Sequence, residues 1–212
     1  MGKFIGRYDN REAETMKDLK GTKTAENLLK SFAGESQARN RYDFYSKVAD
    51  KEGYKQIMNI FLETAGNERQ HAKRFFNFLV EGLKEELPTV VEINAGYPVA
   101  KGTTLENLKA AAAGEKEEWD ELYPSFAAIA KEEGFPEVSA AFLKIADVEK
   151  RHETRFAKLV NNIENDSVFK KEEVVEWICE QCGYIHTGTT APKTCPACLH
   201  PQAYFEVFKE TY

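Results

Sequence analysis

Apolar side chains recur at steps of three and four residues along most of the chain, from about residue 24 to residue 164. This spacing is typical of amphipathic helices that bury one face. Glycine and proline interrupt the pattern at Gly53, between residues 82 and 103, and at Gly134. The pattern therefore predicts four long helices, over residues 24–52, 54–82, 104–133 and 136–163.

The lengths of the connections predict how these helices pack. The breaks at Gly53 and Gly134 are short, so each joins two antiparallel helices into a hairpin. The connection over residues 83–103 is long enough to travel the length of a bundle. Two hairpins joined by a long crossover are typical of a ferritin-like four-helix bundle. The fold class is therefore mostly α, with such a bundle as the larger part.

Local features refine the predicted helix ends. Thr103, with Glu106 three residues later, predicts a capping box at the start of the third helix. Pro136 suits the first turn of the fourth helix. Pro124 lies inside the third helix, and we expect it to kink that helix because proline removes one hydrogen bond and clashes with the preceding turn.

An internal repeat supports two similar hairpins. The segment from Glu26 to Glu35 reappears 80 residues later, from Glu106 to Glu115. After a slip of one residue, the second helix of each hairpin repeats with an offset of 81. The residues that match are Glu68, His71, Arg74 and Phe75 with Glu149, His152, Arg155 and Phe156. We expect the hairpins to be related by a pseudo-two-fold axis.

The helical pattern of apolar residues ends by residue 165, and the composition changes. Residues 166–173 are polar and predict a linker, and residues 174–178 predict a strand. A unit of about 40 residues, here 174–212, is too small to fold on apolar burial alone and needs a metal or disulfides. The predicted domains are thus a bundle over 1–165, whose first 21 residues form an extension without a motif, and this C-terminal unit.

Composition excludes several classes of protein. The chain is 42% hydrophobic and 30% charged, with a net charge of −6, which argues against a binder of nucleic acid or of anionic membranes. No apolar run approaches the roughly 18 residues that a membrane span needs. The first seven residues lack the apolar stretch of a secretory signal, so we expect a cytoplasmic protein.

Each predicted helix carries ionisable residues near its midpoint. They are Glu35, then Glu68 with His71, then Glu115 with Glu118, and finally Glu149 with His152. Residues three apart share one helix face, so four packed helices bring these side chains into one layer. Burying so many charges without compensation would exceed the roughly 5–15 kcal/mol of stability of a whole domain. The pattern therefore predicts a pair of iron or manganese ions, and solvated helix faces are the alternative.

Three residues near this layer add to the prediction. Glu118 has no counterpart in the first hairpin, where Ala38 takes its place, so it is either a seventh ligand or a surface charge. A fifth carboxylate would favour the ferric state and make the site a ready electron donor to an O–O bond. Tyr42 and Tyr123 could hydrogen-bond a ligand carboxylate or bound peroxide, or could be packed in the core.

The four cysteines form two C-x2-C pairs separated by twelve residues. They are Cys179 with Cys182 and Cys195 with Cys198, and the chain has no other cysteine. Four thiolates on two tight turns predict a tetrahedral metal site that holds one iron or one structural zinc. Two disulfides are the poorer alternative in a cytoplasmic protein. An iron here would carry single electrons and would not be a catalyst.

These residues together resemble the rubrerythrin family over nearly the whole chain. The matching motifs are Phe32 to Tyr42, Glu68 to Arg74, Gly114 to Glu118 with Tyr123-Pro124, Glu149 to Glu153, and Trp177 to Pro201 around the cysteines. The last of these is similar to a rubredoxin. Leu199 departs from free-standing rubredoxins, which have glycine at that position.

The resemblance implies a non-haem di-iron site in the bundle and an Fe(Cys)4 centre in the tail. It implies that all seven glutamates and histidines named above are ligands, with Glu68 and Glu149 as bridges. It also implies that Glu118 and His71 exchange as ligands to one iron, and that Tyr42 and Tyr123 hydrogen-bond around the site. Such proteins form dimers or larger homo-oligomers, with one subunit's tail beside another subunit's bundle.

The hypothesis from the sequence is a peroxidase that reduces hydrogen peroxide to water. In this hypothesis Glu118, His71, Tyr42 and Tyr123 are the catalytic residues, and electrons enter through the four-cysteine iron. The external donor would be a rubredoxin or an NAD(P)H-dependent reductase. The alternative is a ferroxidase or iron-storage protein whose tail holds a structural zinc.

Overall fold

The computed structural model describes residues 17–83 and 88–211 and confirms the predicted architecture. The helices are α1 (Lys23–Lys51), α2 (Lys55–Leu83), α3 (Thr104–Glu117), α4 (Tyr123–Glu132) and α5 (Pro136–Glu164), and the strands are β1 (Lys170–Cys179), β2 (Ile185–Thr190) and β3 (Phe205–Val207). Helix α1 packs on α2, and α3 and α4 pack on α5. Of the predicted N-terminal extension, residues 1–16 lie outside the described residues, as do residues 84–87 of the crossover.

Equivalent turns close the two hairpins. Gly53 and Gly134 have φ of 83° and 84°, a region that glycine enters without steric cost. Beside Gly134, the Glu133 carboxylate accepts hydrogen bonds from the backbone N–H and the hydroxyl of Thr24, at 2.8 and 2.6 Å. Beside Gly53, the Glu52 carboxylate accepts from the backbone N–H of Thr104 at 3.0 Å. Each turn therefore caps the first helix of the other hairpin, as a pseudo-two-fold arrangement requires.

The predicted third helix is interrupted by a π-helical turn over Glu118–Leu122. The N–H of Tyr123 bonds the carbonyl of Glu118, five residues back, so one extra residue is accommodated here. This insertion changes the repeat offset from 80 to 81. The predicted third helix thus consists of α3, the π-helical turn and α4 in one helical run, and the kink expected at Pro124 stays a prediction. Pro124 lies in the first turn of α4, where its missing N–H fits after the wide turn.

Apolar cores lie on both sides of the ligand layer. One contains Phe75, Phe142 and Val138, and the other contains Phe61 and Phe156, all essentially inaccessible to solvent. Apolar burial of this kind is the main stabilising contribution to a bundle. Leu19 also reaches the first core and its N–H bonds the carbonyl of Gly82, so the end of the predicted extension is part of the folded bundle. No helix within the described ranges combines the length and apolar character needed to cross a membrane.

The C-terminal unit is a three-stranded antiparallel sheet with the strand order β2-β1-β3. Strand β1 begins at Lys170, inside the predicted linker, because its backbone pairs with Thr190 although the side chains there are polar. Trp177 is fully buried and donates its indole N–H to the carbonyl of Gly188 at 3.0 Å. This small core holds the two cysteine turns in place.

The C-terminal unit packs on the start of α2. Asn59 donates its side-chain amide to Glu180 at 2.8 Å, and the rings of Tyr54 and Phe169 are stacked with centroids 6.2 Å apart. Lys55 lies 4.9 Å from the ring centre of Tyr204. The tail therefore contacts the bundle through polar and aromatic groups close to the first cysteine pair.

Candidate metal centres

The bundle interior brings six of the seven predicted ligands into two overlapping groups. The first group is Glu35, Glu68, His71 and Glu149, and the second is Glu68, Glu115, Glu149 and His152. Within each group the potential ligand atoms lie within 4.8 Å of one another. Glu68 and Glu149 belong to both groups, which is the position that a bridging carboxylate occupies. The arrangement suits two adjacent metal ions held by carboxylates and one imidazole each.

Both histidines point their Nδ1 atoms into the carboxylate layer. His71 Nδ1 lies 2.8 Å from Glu149 and 3.0 Å from Glu68. His152 Nδ1 lies 2.8 Å from Glu149, 3.3 Å from Glu68 and 3.5 Å from Glu115. The Glu-x-x-His spacing produces this because residues three apart project from the same side of α2 and of α5.

Burial and mutual repulsion shift the pKa values of these groups. Burial, together with the charge of Glu68, raises the pKa of Glu115 to about 8. Burial alone would lower the pKa of His71, but its hydrogen bonds to Glu149 and Glu68 raise it to about 9. The same competition raises the pKa of His152 to about 12. The metal-free layer therefore retains protons that a cation would displace.

Two tyrosines hydrogen-bond the outer carboxylates. Tyr42 donates to Glu115 and Tyr123 donates to Glu35, both at 2.5 Å and both across the bundle between hairpins. Both phenols are essentially inaccessible to solvent. The sequence allowed either a hydrogen bond to a ligand carboxylate or packing in the core. Tyr42 does both, because its ring also packs against Phe61 and Phe156.

The unpaired atoms of this layer test whether the residues fit metal ions. Among the described residues, six buried atoms of the layer make no contact with hydrogen-bond geometry, although ion-pair distances bring the Glu149 oxygens close to both histidines. These atoms are Oε2 of Glu35, Oε1 of Glu68, Oε2 of Glu115, both oxygens of Glu149, and Nδ1 of His152. Buried polar atoms without partners are costly, and native proteins have few of them. Here they all belong to the two groups and converge on the same interior. Oxygen and imidazole donors in this number fit two iron or manganese ions.

Glu118 lies outside both groups. It is the first residue of the π-helical turn and is half-buried. Burial, followed by the charges of Glu115 and Glu149, raises its pKa well above the ordinary value, so it lies within the electrostatic reach of the layer. Its carboxylate is also 3.9 Å from where a Cβ on Gly34 would lie, next to Tyr97 of the crossover. The structure thus places Glu118 at the edge of the site.

The four cysteines converge as predicted. The Sγ atoms of Cys179 and Cys198 are 3.7 Å apart, as are those of Cys182 and Cys195, and all four lie within 4.8 Å. Each pair forms a tight turn in which a backbone N–H after the second cysteine bonds the carbonyl of the first. The geometry fits a single metal ion held by four thiolates. His186 and His200 are not part of this group.

Sequence reasoning missed the residues that surround the ligands. Asn67 contacts His152, and Arg155 links α5 to Glu63 and Thr64 of α2. Arg155 was visible only as a repeated residue, and Asn67 is not repeated at all. A comparison of the two hairpins could have pointed to Asn67, because this position differs between them. A search for identical residues in the repeat overlooks such a difference.

Comparisons with known proteins agree with this geometry. A family model described as rubrerythrin matches residues 26–160, and a model of the rubrerythrin rubredoxin-like domain matches residues 177–206. Rubrerythrin-1 of Clostridium acetobutylicum is 66% identical over 198 residues, which cover 93% of this chain and 100% of that protein. The rubrerythrin of Porphyromonas gingivalis is 53% identical over 203 residues, or 95% and 98% of the two chains.

Solved structures show the same fold. A partially reduced nigerythrin is 28% identical, with a TM-score of 0.57, and the match covers 98% of this chain and 100% of that one. A bacterioferritin of Desulfovibrio desulfuricans is 25% identical, with a TM-score of 0.60, over 68% of this chain and 82% of that one. The expected cofactors, a di-iron site in the bundle and a rubredoxin-like four-cysteine site, are confirmed by these matches and by the clusters. With a bundle and a tail that both match, this chain belongs to the rubrerythrin family.

Proposed function

We propose that this protein is a peroxidase that reduces hydrogen peroxide to two molecules of water, using two electrons and two protons. The observation that carries the proposal is the presence, in one chain, of a buried two-metal carboxylate site and a separate four-thiolate site. The first can supply electrons to a substrate and the second can resupply them. Membership of the rubrerythrin family is consistent with an oxidoreductase.

The proposed iron ligands are those that the sequence predicted. They are Glu35, Glu68, His71, Glu115, Glu118, Glu149 and His152 in the bundle and Cys179, Cys182, Cys195 and Cys198 in the tail. The shared membership of Glu68 and Glu149 in both groups supports their role as bridges. The position of Glu118 at the edge of the layer supports an auxiliary carboxylate. It would exchange with His71 as the oxidation state changes.

The iron pair, when bound, supplies Lewis acidity and one electron from each ion. The residues of the chain orient the ligands and exclude water. Tyr42 and Tyr123 hold two ligand carboxylates through their hydroxyls and keep their own protons, since burial raises both phenol pKa values well above normal. The apolar layers around Phe61 and Phe142 exclude water.

Electrons would reach the bundle through the four-cysteine iron from a rubredoxin or an NAD(P)H-dependent reductase. The physiological assembly would be a homo-oligomer, a dimer or larger, in the cytoplasm. Four thiolates change little in geometry between ferric and ferrous iron, which favours rapid single-electron transfer.

Anaerobic stopped-flow absorption of the fully reduced protein tests this proposal. We expect hydrogen peroxide to restore the ferric four-cysteine absorption much faster than dioxygen does. The variant Cys182→Ser should lose donor-driven turnover while its bundle still reacts once with peroxide. The control His186→Gln, outside the cysteine cluster, should turn over normally. Normal donor-driven turnover by Cys182→Ser would rule out the electron route through the tail.

Iron content separates this proposal from storage. The peroxidase should bind about three irons per chain, two in the bundle and one in the tail. A storage protein would assemble into a large hollow shell with many irons per chain. A four-cysteine band that does not change with peroxide would indicate zinc in the tail or uncoupled sites, and would favour iron handling.

A further inference from the structure

The two histidines of the ligand layer differ on their outer sides. The Nε2 atom of His152 lies 3.2 Å from the side-chain amide of Asn67, which reaches it from α2. His152 is thus held at both ring nitrogens, by Asn67 outside and by carboxylates at Nδ1. Among residues 17–83 and 88–211, every hydrogen bond and ion pair of His71 is made through Nδ1.

The repeat explains this difference. Applying the offset of 81 residues, the position equivalent to Asn67 is Val148 on α5, just as His152 is equivalent to His71. Asn67 and Val148 are both half-buried. Valine has no hydrogen-bonding side-chain atom, so Val148 cannot give His71 the counterpart of the Asn67 amide. The pseudo-symmetry of the ligands is therefore broken in the layer around them.

Two arginines at equivalent positions of the repeat, Arg155 and Arg74, also differ in their contacts. Arg155, one turn after His152, donates to Glu63 at 2.9 Å and to the hydroxyl of Thr64 at 2.7 Å, and so links α5 to α2. Its equivalent, Arg74, instead lies over the ring of Phe78 on its own helix, 4.1 Å from the centroid. The positions equivalent to Glu63 and Thr64 are Lys144 and Ile145, neither of which can accept a hydrogen bond from arginine.

We propose that Asn67 is a positioning residue that fixes the orientation of His152, and that His71 lacks such a support. The proposal rests on the two-metal site of the proposed function but not on its reaction. A metal ion on Nδ1 requires the Nε2 atom to carry the proton and to donate it. An asparagine suits both states of the site, because rotation of its amide presents either the NH2 group or the oxygen.

The consequence is a difference in rigidity between the two metal positions. The group that contains His152 is held by Asn67 and by the Arg155 links from the facing helix. In the group that contains His71, Tyr123 supports Glu35, but the described residues give the His71 ring only carboxylate contacts at Nδ1. Loss of the Asn67 amide should therefore loosen the His152 group and leave the His71 group unchanged.

Zinc loading of the full chain tests this without any redox reaction. In the 15N-histidine-labelled, zinc-loaded protein, we expect the Nε2–H proton of His152 to exchange with solvent at least about tenfold more slowly than that of His71. The variant Asn67→Leu keeps the side-chain size but removes the amide. It should remove this protection from His152 and weaken one of the two bundle zinc ions by about 10–100-fold, leaving the other unchanged.

Two further variants separate positioning from folding. Asn67→Asp supplies an acceptor for Nε2–H and should restore the slow exchange of His152. Val148→Asn supplies the missing amide and should slow the exchange of His71. The proposal fails if Asn67→Leu leaves His152 exchange unchanged, if it weakens both zinc ions equally, or if Val148→Asn has no effect on His71. Zinc has no redox chemistry in proteins and cannot supply electrons to peroxide, so these outcomes are independent of whether the protein is a peroxidase.

Discussion

Tyr42 on α1 donates a 2.5 Å hydrogen bond to Glu115 on α3, and so joins the two hairpins at the ligand layer. Tyr123 donates the equivalent bond to Glu35 in the opposite direction. A carboxylate that accepts a hydrogen bond from a buried hydroxyl is oriented as well as stabilised. These two bonds thus fix the outer carboxylates of the two groups.

Removing either hydroxyl should weaken metal binding. We expect Tyr42→Phe and Tyr123→Phe each to lower the affinity for one bundle metal ion by about 10–100-fold, because the carboxylate loses its orienting partner. Competition with a chelator of known affinity measures this. Tyr45→Phe is the matched control, since Tyr45 packs beside Tyr42 but donates to the carbonyl of Ala100 in the crossover. Equal weakening by Tyr45→Phe would mean that packing, and not the carboxylate contact, is responsible.

The sequence predicts the ligand layer well because it depends on strong local rules. The capping box at Thr103, the turns at Gly53 and Gly134 and the Glu-x-x-His spacing each follow from helix geometry. The π-helical turn was not predicted, because a single inserted residue leaves no compositional trace. Its only sign is the change of repeat offset, which does not show where the residue is inserted. The burial of Leu19 and the contact of Asn67 depend on tertiary packing, and no local pattern encodes them.

The π-helical turn predicts which deletions the bundle tolerates. Deleting Asp120 should convert the turn to a regular helix and restore the spacing of seven residues found between Glu35 and Tyr42. Asp120 is exposed, and its solvent-screened ion pair with Lys116 contributes little to stability. We therefore expect this variant to fold with Tyr123 still bonded to Glu35, and its circular dichroism and melting temperature to stay close to those of the parent.

Deletion of Arg39, the equivalent exposed position in α1, is the matched control. Helix α1 has no extra residue there, so the deletion rotates the rest of the helix by about 100° and takes Tyr42 out of the core. This variant should lose cooperative unfolding. If both deletions are equally damaging, the π-helical turn is not a removable insertion.

Without bound metal, the stability of the bundle should fall as the pH rises. In the metal-free chain, Glu115 and His71 have folded pKa values of about 8 and about 9, above their ordinary values of 4.5 and 6.5. A group whose pKa is raised by folding stabilises the folded state below its unfolded pKa, and this contribution is lost as pH rises through the folded pKa. The lowered pKa of Glu68 acts in the opposite sense only below its ordinary value of 4.5.

We therefore expect the metal-free bundle to lose stability between about pH 5 and pH 9. The metal-loaded bundle should not, because bound cations replace the protons. Thermal unfolding followed by helix circular dichroism at pH 6 and pH 9, with and without metal, checks this. A metal-free melting temperature that rises with pH, or an identical fall in the loaded protein, would contradict the raised pKa values of Glu115 and His71.

Leu199 carries backbone strain in the tail. It follows Cys198 with φ of 63°, and its counterpart Gly183 follows Cys182 with φ of 77°. A non-glycine residue in this region costs about 1–2 kcal/mol. The Leu199 side chain is 77% exposed, so it recovers little of this cost by packing. Leu199→Gly should stabilise the tail by up to about 1 kcal/mol, after allowing for the greater freedom of glycine in the unfolded chain.

The reverse substitution provides the control. A Cβ on Gly183 would meet nothing within 4 Å, so Gly183→Ala tests backbone conformation without a steric clash. We expect it to destabilise the tail by about 1–2 kcal/mol. Denaturant unfolding followed by loss of the four-cysteine absorption compares the two variants with the parent. Destabilisation by Leu199→Gly would instead show that the exposed leucine makes a contact which outweighs its strain.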